Sequence, residues 1–485
     1  MKARKLTERV MVLSGDVSSL VDSLLEQAKG RLLRRGEFLG IDDPFLLDEL
    51  LQNTPQIDRV QGFVKDKSGW VCSRCGTKDA ELRAIGPCTC CHKECFYCLA
   101  CLQMGKIKRC SWLYTHSIQE ESVGSSPTRS VEVYYKGQLS KEQAAISQEL
   151  VDIYHRTENK NHLVWAVTGA GKTEMVFAVI KTCLEENGRV AIVSPRIDVC
   201  LELAPRLCEA FPNQTHDLLY GESPSKYSGA EITVATTHQM LRFNKAFQLI
   251  IVDEVDAFPY TNQEMLPYAV SRALSPNGQM IQLTATPTKE IHKQIAKNQL
   301  SLSILPARYH QKPLPQPSYR WIGDWQLYLK QGQLPPTMKA WIKGKLHQKK
   351  MFLLFVPSIT SLEPLELALK SSFPLARFTT VSSVDPQRVE KIANMRKQEY
   401  DFLVTTTILE RGVTFPGVDV FVLGAEQEIF SRQVLVQIAG RVGRTLDCSR
   451  GQVIFGHFGK SRAMVEAKKE IRQMNRLARQ KNLIK

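Results

Sequence analysis

Long apolar segments are absent from this sequence. A membrane-spanning helix needs about 20 mostly apolar residues in a row, and no run among the 485 residues approaches that length. The first six residues include three basic ones but are not followed by the apolar stretch of a secretory signal. We therefore expect no transmembrane segment, no export and a cytoplasmic location.

Acidic residues are also in short supply relative to basic ones. The chain has 64 lysines and arginines against 49 aspartates and glutamates, which gives a net charge of +15. Such an excess of positive charge favours a polyanionic partner such as nucleic acid. An acidic membrane surface is the alternative that charge alone leaves open. The length is that of roughly three domains.

Cysteine is scarce outside one segment. Nine of the 13 cysteines lie between Cys72 and Cys110. In a long chain that lacks an export signal, such clustering is typical of metal binding rather than of disulfides. Two residues between paired thiolates allow both to bind one Zn²⁺, and a second pair completes a tetrahedron. We therefore expect a zinc site in this segment.

The sequence defines the first zinc-binding pair but leaves the second open. Cys72 and Cys75 form the first CxxC pair. The later CxxC pairs are Cys88/Cys91, Cys95/Cys98 and Cys98/Cys101. The spacer length slightly favours Cys95/Cys98, and enough cysteines remain to form a second site.

A phosphate-binding loop is the strongest motif. Residues 166–173 read AVTGAGKT and follow a predicted strand at 163–165. A predicted helix begins at residue 174 and ends at Gly188 as a glycine C-cap. The two glycines of the loop let backbone N–H groups face phosphate oxygens. Lys172 is expected to reach the β- and γ-phosphates and Thr173 to bind Mg²⁺, so we predict an ATP site.

A glutamine upstream of the loop completes the predicted nucleotide site. Ser140 has the character of a helix N-cap, and Gln143 lies one turn into that helix. A glutamine amide donates and accepts hydrogen bonds and can therefore read an adenine edge. The predicted nucleotide-binding residues are Gln143, Thr168, Gly169, Ala170, Gly171, Lys172 and Thr173.

An acidic pair follows an apolar strand at 247–252. Asp253 is expected to hold Mg²⁺ through water, and Glu254 to orient and deprotonate the attacking water. Two other predicted strands end in hydroxyl-bearing residues, at 194–196 and 236–238, and such ends suit contacts with a nucleic-acid backbone. A further strand, ending at 284–286, is suited to relaying the state of the nucleotide.

A second α/β pattern follows the prolines of residues 306–340. Its predicted strands lie at 351–357 and 400–407, and two arginines, three residues apart on one helical face, lie near its end. Arginines that reach a γ-phosphate across a cleft raise the rate by roughly 10³–10⁵. The predicted catalytic residues are Lys172, Asp253, Glu254, Gln437, Arg441 and Arg444.

The basic tail at 460–485 predicts an amphipathic helix. We expect this helix to cap the second domain, with a phosphate-contacting helix as the alternative. Its apolar residues at helical spacing are Met464, Ala467, Ile471, Met474 and Ala478.

In their order, these motifs resemble the motor of superfamily 2 helicases over residues 130–485. The resemblance implies two RecA-like parallel-sheet domains. Together with the cysteine-rich segment, it predicts an α/β protein in which these domains are preceded by an N-terminal segment with a zinc-binding cysteine module. The predicted regions are a helical segment at 1–60, a four-cysteine zinc module at 61–115, RecA-like domains at 130–305 and 341–485, and a connector at 306–340.

The narrower resemblance is to the ComFA family of competence proteins. It rests on AVTGAGKTE from residue 166, SPRIDVCLEL from 194, DEVDAFP from 253 and TTILERGVTFP from 406, with the cysteine module ahead of the motor. That family has a zinc site in which CxRC is followed by YCxxC. The resemblance therefore implies the ligands Cys72, Cys75, Cys98 and Cys101.

The ComFA resemblance also implies a function. It implies an ATP-driven translocase on single-stranded DNA that helps take up transforming DNA at the inner face of the cell membrane. The implied partners are single-stranded DNA, the competence protein ComFC and the membrane DNA-import channel.

Two other functions stay open. The first is a DNA-binding adaptor in which ATP only switches affinity, although Glu254, Arg441 and Arg444 favour turnover. The second is a PriA-like helicase of replication restart. The two-zinc insertion of PriA lies between motor motifs rather than ahead of them, which counts against this alternative.

Overall fold

The structure is a computed structural model and describes residues 14–67, 69–118, 129–156, 161–221, 223, 226–411, 415–444 and 451–484. The chain divides into two units. The first comprises Met1–Gln138, Ser147–His162 and Val176–Gln282, and the second comprises Leu139–Ile146, Leu163–Met175 and Leu283–Lys485. Within the described ranges, no helix is both long and apolar enough to cross a bilayer.

The amino-terminal part of the first unit mixes short helices with short strands. In chain order its elements are α1 (Ser14–Ala28), β1 (Leu33–Arg34), α2 (Pro44–Asn53), β2 (Asp58–Gln61), β3 (Phe63–Asp66), β4 (Gly69–Cys72), β5 (Arg83–Pro87), β6 (Glu94–Cys98) and β7 (Trp112–Thr115). Strands β1, β7 and β2 form an antiparallel sheet in that order. Its core includes Leu24, Leu33, Leu47, Leu51 and Tyr114.

The cysteine module consists of two antiparallel hairpins. Strand β3 pairs with β4 so that Phe63 lies opposite Cys72, and β5 pairs with β6 so that Arg83 lies opposite Cys98. The rings of Phe63 and Phe96 meet edge to face with centroids 4.9 Å apart. The ring of Trp70 on β4 also meets that of Phe96, with centroids 5.6 Å apart, so aromatic contacts join the two hairpins.

A seven-stranded sheet follows the cysteine module. Its elements are α3 (Lys141–Tyr154), β8 (Asn161–Ala166), α4 (Lys172–Met175), α5 (Phe177–Glu185), β9 (Val190–Ser194), α6 (Ile197–Ala210), β10 (His216–Leu219), β11 (Ile232–Thr236), β12 (Phe247–Asp253), α7 (Met265–Ala273), β13 (Leu274–Thr284), α8 (Lys289–Ala296) and β14 (Ser301–Leu305). The strand order is β10-β11-β9-β12-β13-β8-β14. Strands β10, β11, β9 and β12 are parallel neighbours, and β9 and β11 are buried throughout, as continuous apolar runs predict.

A six-stranded parallel sheet forms the centre of the second unit. Its elements are β15 (Ser318–Trp321), α9 (Trp325–Lys330), α10 (Pro336–His347), β16 (Phe352–Phe355), α11 (Leu362–Ser372), β17 (Phe378–Val381), α12 (Arg388–Arg396), β18 (Phe402–Thr405), β19 (Asp419–Val422), α13 (Arg432–Ala439), β20 (Val453–His457) and α14 (Arg462–Gln480). The order is β15-β20-β19-β16-β18-β17, and all these pairings are parallel. The predicted fold class, with two parallel-sheet α/β regions after a cysteine module, is confirmed.

The segment for which we predicted a connector, residues 306–340, contains regular structure. Strand β15 pairs in parallel with β20, so this segment supplies an edge strand of the second sheet. Pro335 and Pro336 occupy the N-cap and the first position of α10. A proline at the first helical position costs no hydrogen bond, because that N–H has no partner within the helix. These prolines therefore mark the start of a helix rather than a linker.

The helix after the phosphate loop ends differently from our prediction. We predicted that Gly188 caps the end of this helix, but the residue with the left-handed backbone of such a cap is Asn187, whose φ is 58°. Asparagine adopts this conformation more easily than most residues. Gly188 serves another purpose, because a Cβ there would lie 2.6 Å from the Sγ of Cys183. Close packing, not capping, requires this glycine.

The amphipathic tail helix is confirmed as α14. The predicted apolar residues Met464, Ala467, Ile471, Met474 and Ala478 are all buried. The side chain of Asn475 is also buried and exchanges hydrogen bonds with the backbone N–H and carbonyl of Leu314, at 2.8 and 2.9 Å. The helix is therefore an integral part of the second unit.

Candidate nucleotide site and metal centre

The phosphate loop leaves β8 and ends at the start of α4. Gly169 and Gly171 have φ angles of 79° and 74°. A side chain in this left-handed region costs roughly 1–2 kcal/mol per residue, which explains glycine at both positions. The N–H of Ala170 donates to the carbonyl of Val167 over 3.1 Å. This hydrogen bond closes a turn over residues 167–170, and the predicted residues Lys172 and Thr173 follow at the start of α4.

The side chain of Gln143 packs against this loop. Its Nε2 donates to the carbonyl of Ala170 over 2.7 Å, and its Oε1 accepts from the N–H of Ser140 over 2.8 Å. The Ser140 hydroxyl in turn accepts from the N–H of Gln143 over 3.2 Å, which completes the predicted cap. A Cβ at Gly171 would lie 2.4 Å from the amide nitrogen of Gln143. Both the oxygen and the nitrogen of the Gln143 amide are thus hydrogen-bonded to backbone groups of the chain.

Arg308 is a site residue that the sequence analysis missed. Its guanidinium is buried and donates to the carbonyl of Thr168 in the phosphate loop over 3.1 Å. It also donates to the carbonyls of Gly440, Val442 and Gly443, at 3.0, 2.7 and 2.5 Å. Burial lowers the pKa of Arg308 to about 9, so the side chain is still charged at neutral pH. No local motif surrounds this arginine, and only the fold reveals it.

The end of α13 lies against the phosphate loop. A Cβ at Gly440 would lie 2.1 Å from the hydroxyl oxygen of Thr168, so any other residue there would displace the loop. On the same helix, the Nε2 of Gln437 donates to the hydroxyl of Thr286 over 3.4 Å. The structure therefore brings the predicted residues Thr168 and Gln437 together with the strand end at 284–286.

The predicted arginine pair lies beyond the helix rather than on one of its faces. Helix α13 ends at Ala439, and Arg441 and Arg444 follow in a turn. The Nε of Arg441 is buried against the carbonyl of Glu410 at 2.9 Å, whereas the Nε of half-buried Arg444 donates to the carbonyl of Gly440 at 3.1 Å. Our prediction that both arginines share one helical face was therefore wrong, because the helix ends at Ala439 and Gly443, between the two arginines, has a φ of 68°.

The acidic pair lies at the carboxyl end of β12 in the first unit. Asp253 is nearly buried, and its Oδ1 accepts from the N–H of Glu254 over 2.9 Å. Glu254 has a φ of 59°, a left-handed conformation that costs a non-glycine residue energy and is concentrated at functional sites. Strands β11, β9 and β12 are adjacent and parallel. The hydroxyls of Ser194 and Thr236 therefore lie along the same edge as the acidic pair.

Four cysteine sulfurs converge in the amino-terminal region. The Sγ atoms of Cys72, Cys75, Cys98 and Cys101 lie within 4.8 Å of one another, and all four residues are buried. Cys72 and Cys101 are 3.9 Å apart, and Cys75 and Cys98 are 3.5 Å apart. Four sulfurs at 2.3 Å from one zinc ion are separated by about 3.8 Å, whereas a disulfide needs about 2.05 Å. The group thus fits a tetrahedral metal centre.

The spacer-based alternative, Cys95 with Cys98, does not match this group. Both residues lie on β6, and side chains three apart on a strand point to opposite faces. Cys95 therefore points away from the sulfurs of Cys72 and Cys75, while Cys98 points toward them. Cys101 comes from the turn after the strand, where the alternation ends.

Both α/β regions match helicase families. Family profiles described as "Type III restriction enzyme, res subunit" and "Helicase conserved C-terminal domain" match residues 136–289 and 336–445. The structure resembles Saccharomyces cerevisiae Dbp5 L327V bound to RNA and ADP BeF3, with a TM-score of 0.52, 16% identity and coverage of 70% of this chain and 92% of that one. Domains of these families are those of an ATP-hydrolysing enzyme that uses ATP and Mg²⁺.

The remaining matches decide the family. The profile "Competence protein ComFA N-terminal domain" matches residues 22–115. Competence protein ComFA of Bacillus subtilis (strain 168) is 40% identical over 413 residues, which are 85% of this chain and 87% of that protein. Competence protein ComFA of Streptococcus pneumoniae (strain ATCC BAA-255 / R6) is 39% identical over 437 residues, which are 90% of this chain and 97% of that protein. The chain belongs to the ComFA family.

The ComFA amino-terminal domain is joined to the rest of the first unit by a second arginine that the sequence analysis missed. Arg272 on α7 donates to the backbone carbonyls of Ser73, at 3.2 Å, and of Arg74. Burial lowers the pKa of Arg272 to about 10. A Cβ at Gly76 would lie 2.8 Å from the ring of Tyr268 on the same helix. The first cysteine knuckle of this ComFA chain therefore packs directly on α7.

Arg74 closes the other side of the same cysteine group. Its guanidinium is buried and donates to the carbonyls of Cys101 and Met104, both at 2.8 Å, and to the Cys101 sulfur at 3.4 Å. A positive group beside four thiolates offsets the charge that a four-cysteine zinc site carries. This position is the arginine of the CxRC pattern in the ComFA family.

Proposed function

We propose that this chain is an ATP-dependent translocase on single-stranded DNA that takes part in the uptake of transforming DNA. The observation that carries the proposal is the Arg308 bridge. It ties the carbonyl of Thr168 in the phosphate loop to the turn that bears Arg441 and Arg444. A direct link between the phosphate loop and an arginine-bearing turn supports a coupling of ATP binding and hydrolysis to that turn, and the turnover assay below separates a motor from an ATP-switched adaptor. The competence proteins among the relatives support the biological setting.

The ATP chemistry is assigned to residues of this chain as follows. The loop at 168–173 holds the phosphates, with Lys172 neutralising charge and Thr173 binding Mg²⁺. Asp253 holds Mg²⁺ through water, and Glu254 orients and deprotonates the attacking water. Arg441 and Arg444 stabilise the charge that develops on the γ-phosphate, while Gln437 passes the state of the site to Thr286.

The decisive experiment measures ATP turnover with single-stranded DNA, duplex DNA and RNA, together with strand displacement. Strong stimulation by single-stranded DNA without strand separation fits a translocase. Turnover that DNA does not change fits the ATP-switched adaptor instead. Efficient displacement of a paired strand favours the PriA-like helicase of replication restart.

The DNA contact is expected to be strongly salt-dependent. Each phosphate of a single strand that the protein neutralises contributes about −0.7 to the slope of log K against log salt. Arg196, beside the end of β9, is half-buried and suited to such a contact. We therefore expect Arg196→Gln to make the slope shallower by about 0.7, as measured by fluorescence anisotropy with labelled single-stranded DNA.

A charge-matched control separates this contact from the general basic character of the chain. Lys370 is exposed and pairs with Glu366 within α11, so Lys370→Gln removes one charge from the surface of that helix. Its slope should equal that of the wild type. Equal changes in both variants, or an affinity independent of salt, would contradict the proposed DNA contact at the strand ends.

Zinc is assigned to Cys72, Cys75, Cys98 and Cys101 as a closed structural site. Structural zinc stabilises small modules by roughly 10–16 kcal/mol in peptides. Cys72→Ser should therefore lower the zinc content and weaken DNA or partner binding while basal ATP turnover persists. Metal analysis and ATPase assays on the purified chain check both parts.

The matched control for this substitution is Cys208→Ser, which removes an exposed thiol outside the module. It should keep the zinc content and the DNA affinity of the wild type. A wild-type protein without zinc would overturn the assignment, and so would a Cys72→Ser variant that keeps all its zinc.

The proposed setting is the cytoplasmic side of the cell membrane. We assign the chain a peripheral place at the inner face, with ComFC and the membrane DNA-import channel as partners. The net positive charge of the chain supports contact with an acidic membrane surface as well as with DNA. Co-purification of ComFC and the channel with the tagged chain from competent cells tests these partners, and a Cys72→Ser chain that loses them would assign the docking to the cysteine module.

A further inference from the structure

A second group of four cysteines lies in the same module. The Sγ atoms of Cys88, Cys91, Cys95 and Cys110 lie within 4.8 Å of one another. The sulfurs of Cys88 and Cys110 are 3.7 Å apart, although the two residues are 22 positions apart in the chain. This separation is close to the roughly 3.8 Å between thiolates that share one tetrahedral zinc. It is far longer than the roughly 2.05 Å of a disulfide bond.

The local fold explains why these cysteines meet. Cys88 directly follows β5, and its N–H donates to the carbonyl of Lys93 over 3.1 Å while its carbonyl accepts from the N–H of His92 over 2.9 Å. His92 has a φ of 52°, which closes the turn between β5 and β6. This turn forms a compact CxxC knuckle with Cys91. The same kind of knuckle supplies Cys72 and Cys75 to the first group.

The β5–β6 hairpin supplies ligands to both groups. Cys95 and Cys98 lie three apart on β6 and point to opposite faces of the hairpin. Cys98 joins the first group, and Cys95 joins the second. Cys110 comes from a separate turn just before β7, where the N–H of Arg109 donates to the carbonyl of Phe96 over 2.9 Å. Three chain segments therefore converge on the second group.

A positive charge lies beside the second group. The ammonium of Lys108 lies 3.5 Å from the Cys88 sulfur and 3.4 Å from the sulfur of Cys90. Hydrogen bonds and positive charge around sulfur are the usual outer shell of a four-thiolate metal site. Cys91 and Cys110 are only half-buried, so core packing does not account for them.

We propose that Cys88, Cys91, Cys95 and Cys110 bind a second structural Zn²⁺. Soft thiolate ligands in a tetrahedron select zinc among the common divalent ions. All four positions are filled by cysteine, so none is open for a water or a substrate. The ion ties the tip of the β5–β6 hairpin to the chain that enters β7. Its ligands differ from those of the first site, so the two assignments stand or fall separately.

Counting metal ions in the folded, full-length chain tests the proposal. Native mass spectrometry and elemental analysis should find two zinc ions in the wild type and one in Cys110→Ser. Cys72→Ser should also retain one zinc ion, and the variant that carries both substitutions should retain none. The control is Cys90→Ser, because Cys90 is exposed and lies within the same turn but outside the group. This variant should keep two zinc ions.

A second measurement covers the case in which Cys110→Ser fails to fold. The wild-type chain reloaded with Co²⁺ should bind two equivalents. Its thiolate-to-cobalt absorption per chain should be twice that of Cys72→Ser. If the wild type held one zinc ion and only Cys72→Ser removed it, the second site would be overturned and the first would stand. Loss of zinc in Cys90→Ser would contradict the proposed ligand set. A Cys88–Cys110 disulfide, detected as two missing thiols in metal-free protein, would overturn the proposal as well.

Discussion

Lys172→Ala and Glu254→Gln are each expected to abolish ATP turnover, yet only the glutamate variant should still bind ATP. The ammonium of Lys172 neutralises phosphate charge in the bound nucleotide, so its loss weakens binding as well as catalysis. Glu254 is assigned to the attacking water, and general-base catalysis contributes roughly 10²–10⁴ in rate. Glutamine keeps the shape of the side chain, which matters because residue 254 has a φ of 59°.

Two measurements check these assignments. Steady-state ATP hydrolysis in the presence of single-stranded DNA gives the loss of turnover, and titration with a fluorescent ATP analogue gives nucleotide affinity. Glu264→Gln is the matched control, because Glu264 is exposed at the N-cap of α7 in the same unit. It should hydrolyse ATP at the wild-type rate. Equal loss of nucleotide binding in the Lys172 and Glu254 variants would refute the separate roles.

Arg308→Lys is expected to lower ATP turnover strongly although it keeps the positive charge. A guanidinium presents five donors in a planar fork, whereas an ammonium offers three from one nitrogen. The lysine therefore cannot serve the carbonyl of Thr168 and the carbonyls of residues 440, 442 and 443 at once. A buried carbonyl left without a donor costs about 1–3 kcal/mol. For each carbonyl whose hydrogen bond to Arg308 holds the site in its transition-state geometry, we expect kcat to fall by about tenfold or more.

Arg308→Met should lower ATP turnover and stability further, because it removes the charge and every hydrogen-bond donor. Thermal unfolding of the two variants separates stability from catalysis. Both variants should have a lower Tm, the methionine variant by more, and the lysine variant should still lose kcat at a temperature at which it is fully folded. Arg320→Lys makes the same exchange on the exposed side of β15 and is the control. Wild-type kinetics in Arg308→Lys would show that the bridge is only structural and would remove the main support for the proposed motor.

The phosphate loop and its flanking strands follow from local sequence. Glycines at 169 and 171 are required because the backbone adopts positive φ there, and the strand β8 before the loop is buried and apolar from Leu163 to Ala166. The acidic pair at 253 and 254 is equally local, since it ends an apolar strand. Such features need only a few neighbouring residues, and those residues could be read directly.

Other features depended on which element a residue occupies. A CxxC pair chelates one ion from a turn but not from a strand. Residue spacing alone therefore favoured Cys95 with Cys98, the family resemblance implied Cys98 with Cys101, and β6 gives the physical reason for the second choice. The same holds for Arg441 and Arg444, which follow α13 instead of lying on it. Spacing in the sequence has a geometric meaning only when the local backbone is given.

The sequence by itself determined the class of this protein: two parallel-sheet regions, a phosphate loop, an acidic strand end and a cysteine-rich module. These are short patterns in which the chemistry lies in adjacent residues. Only the tertiary structure revealed Arg308 and Arg272, and only it brought Cys88, Cys91, Cys95 and Cys110 together as a second group. Each of these features joins chain segments that are distant in sequence, and a lone arginine or cysteine carries no local mark of the carbonyl or thiolate that it meets.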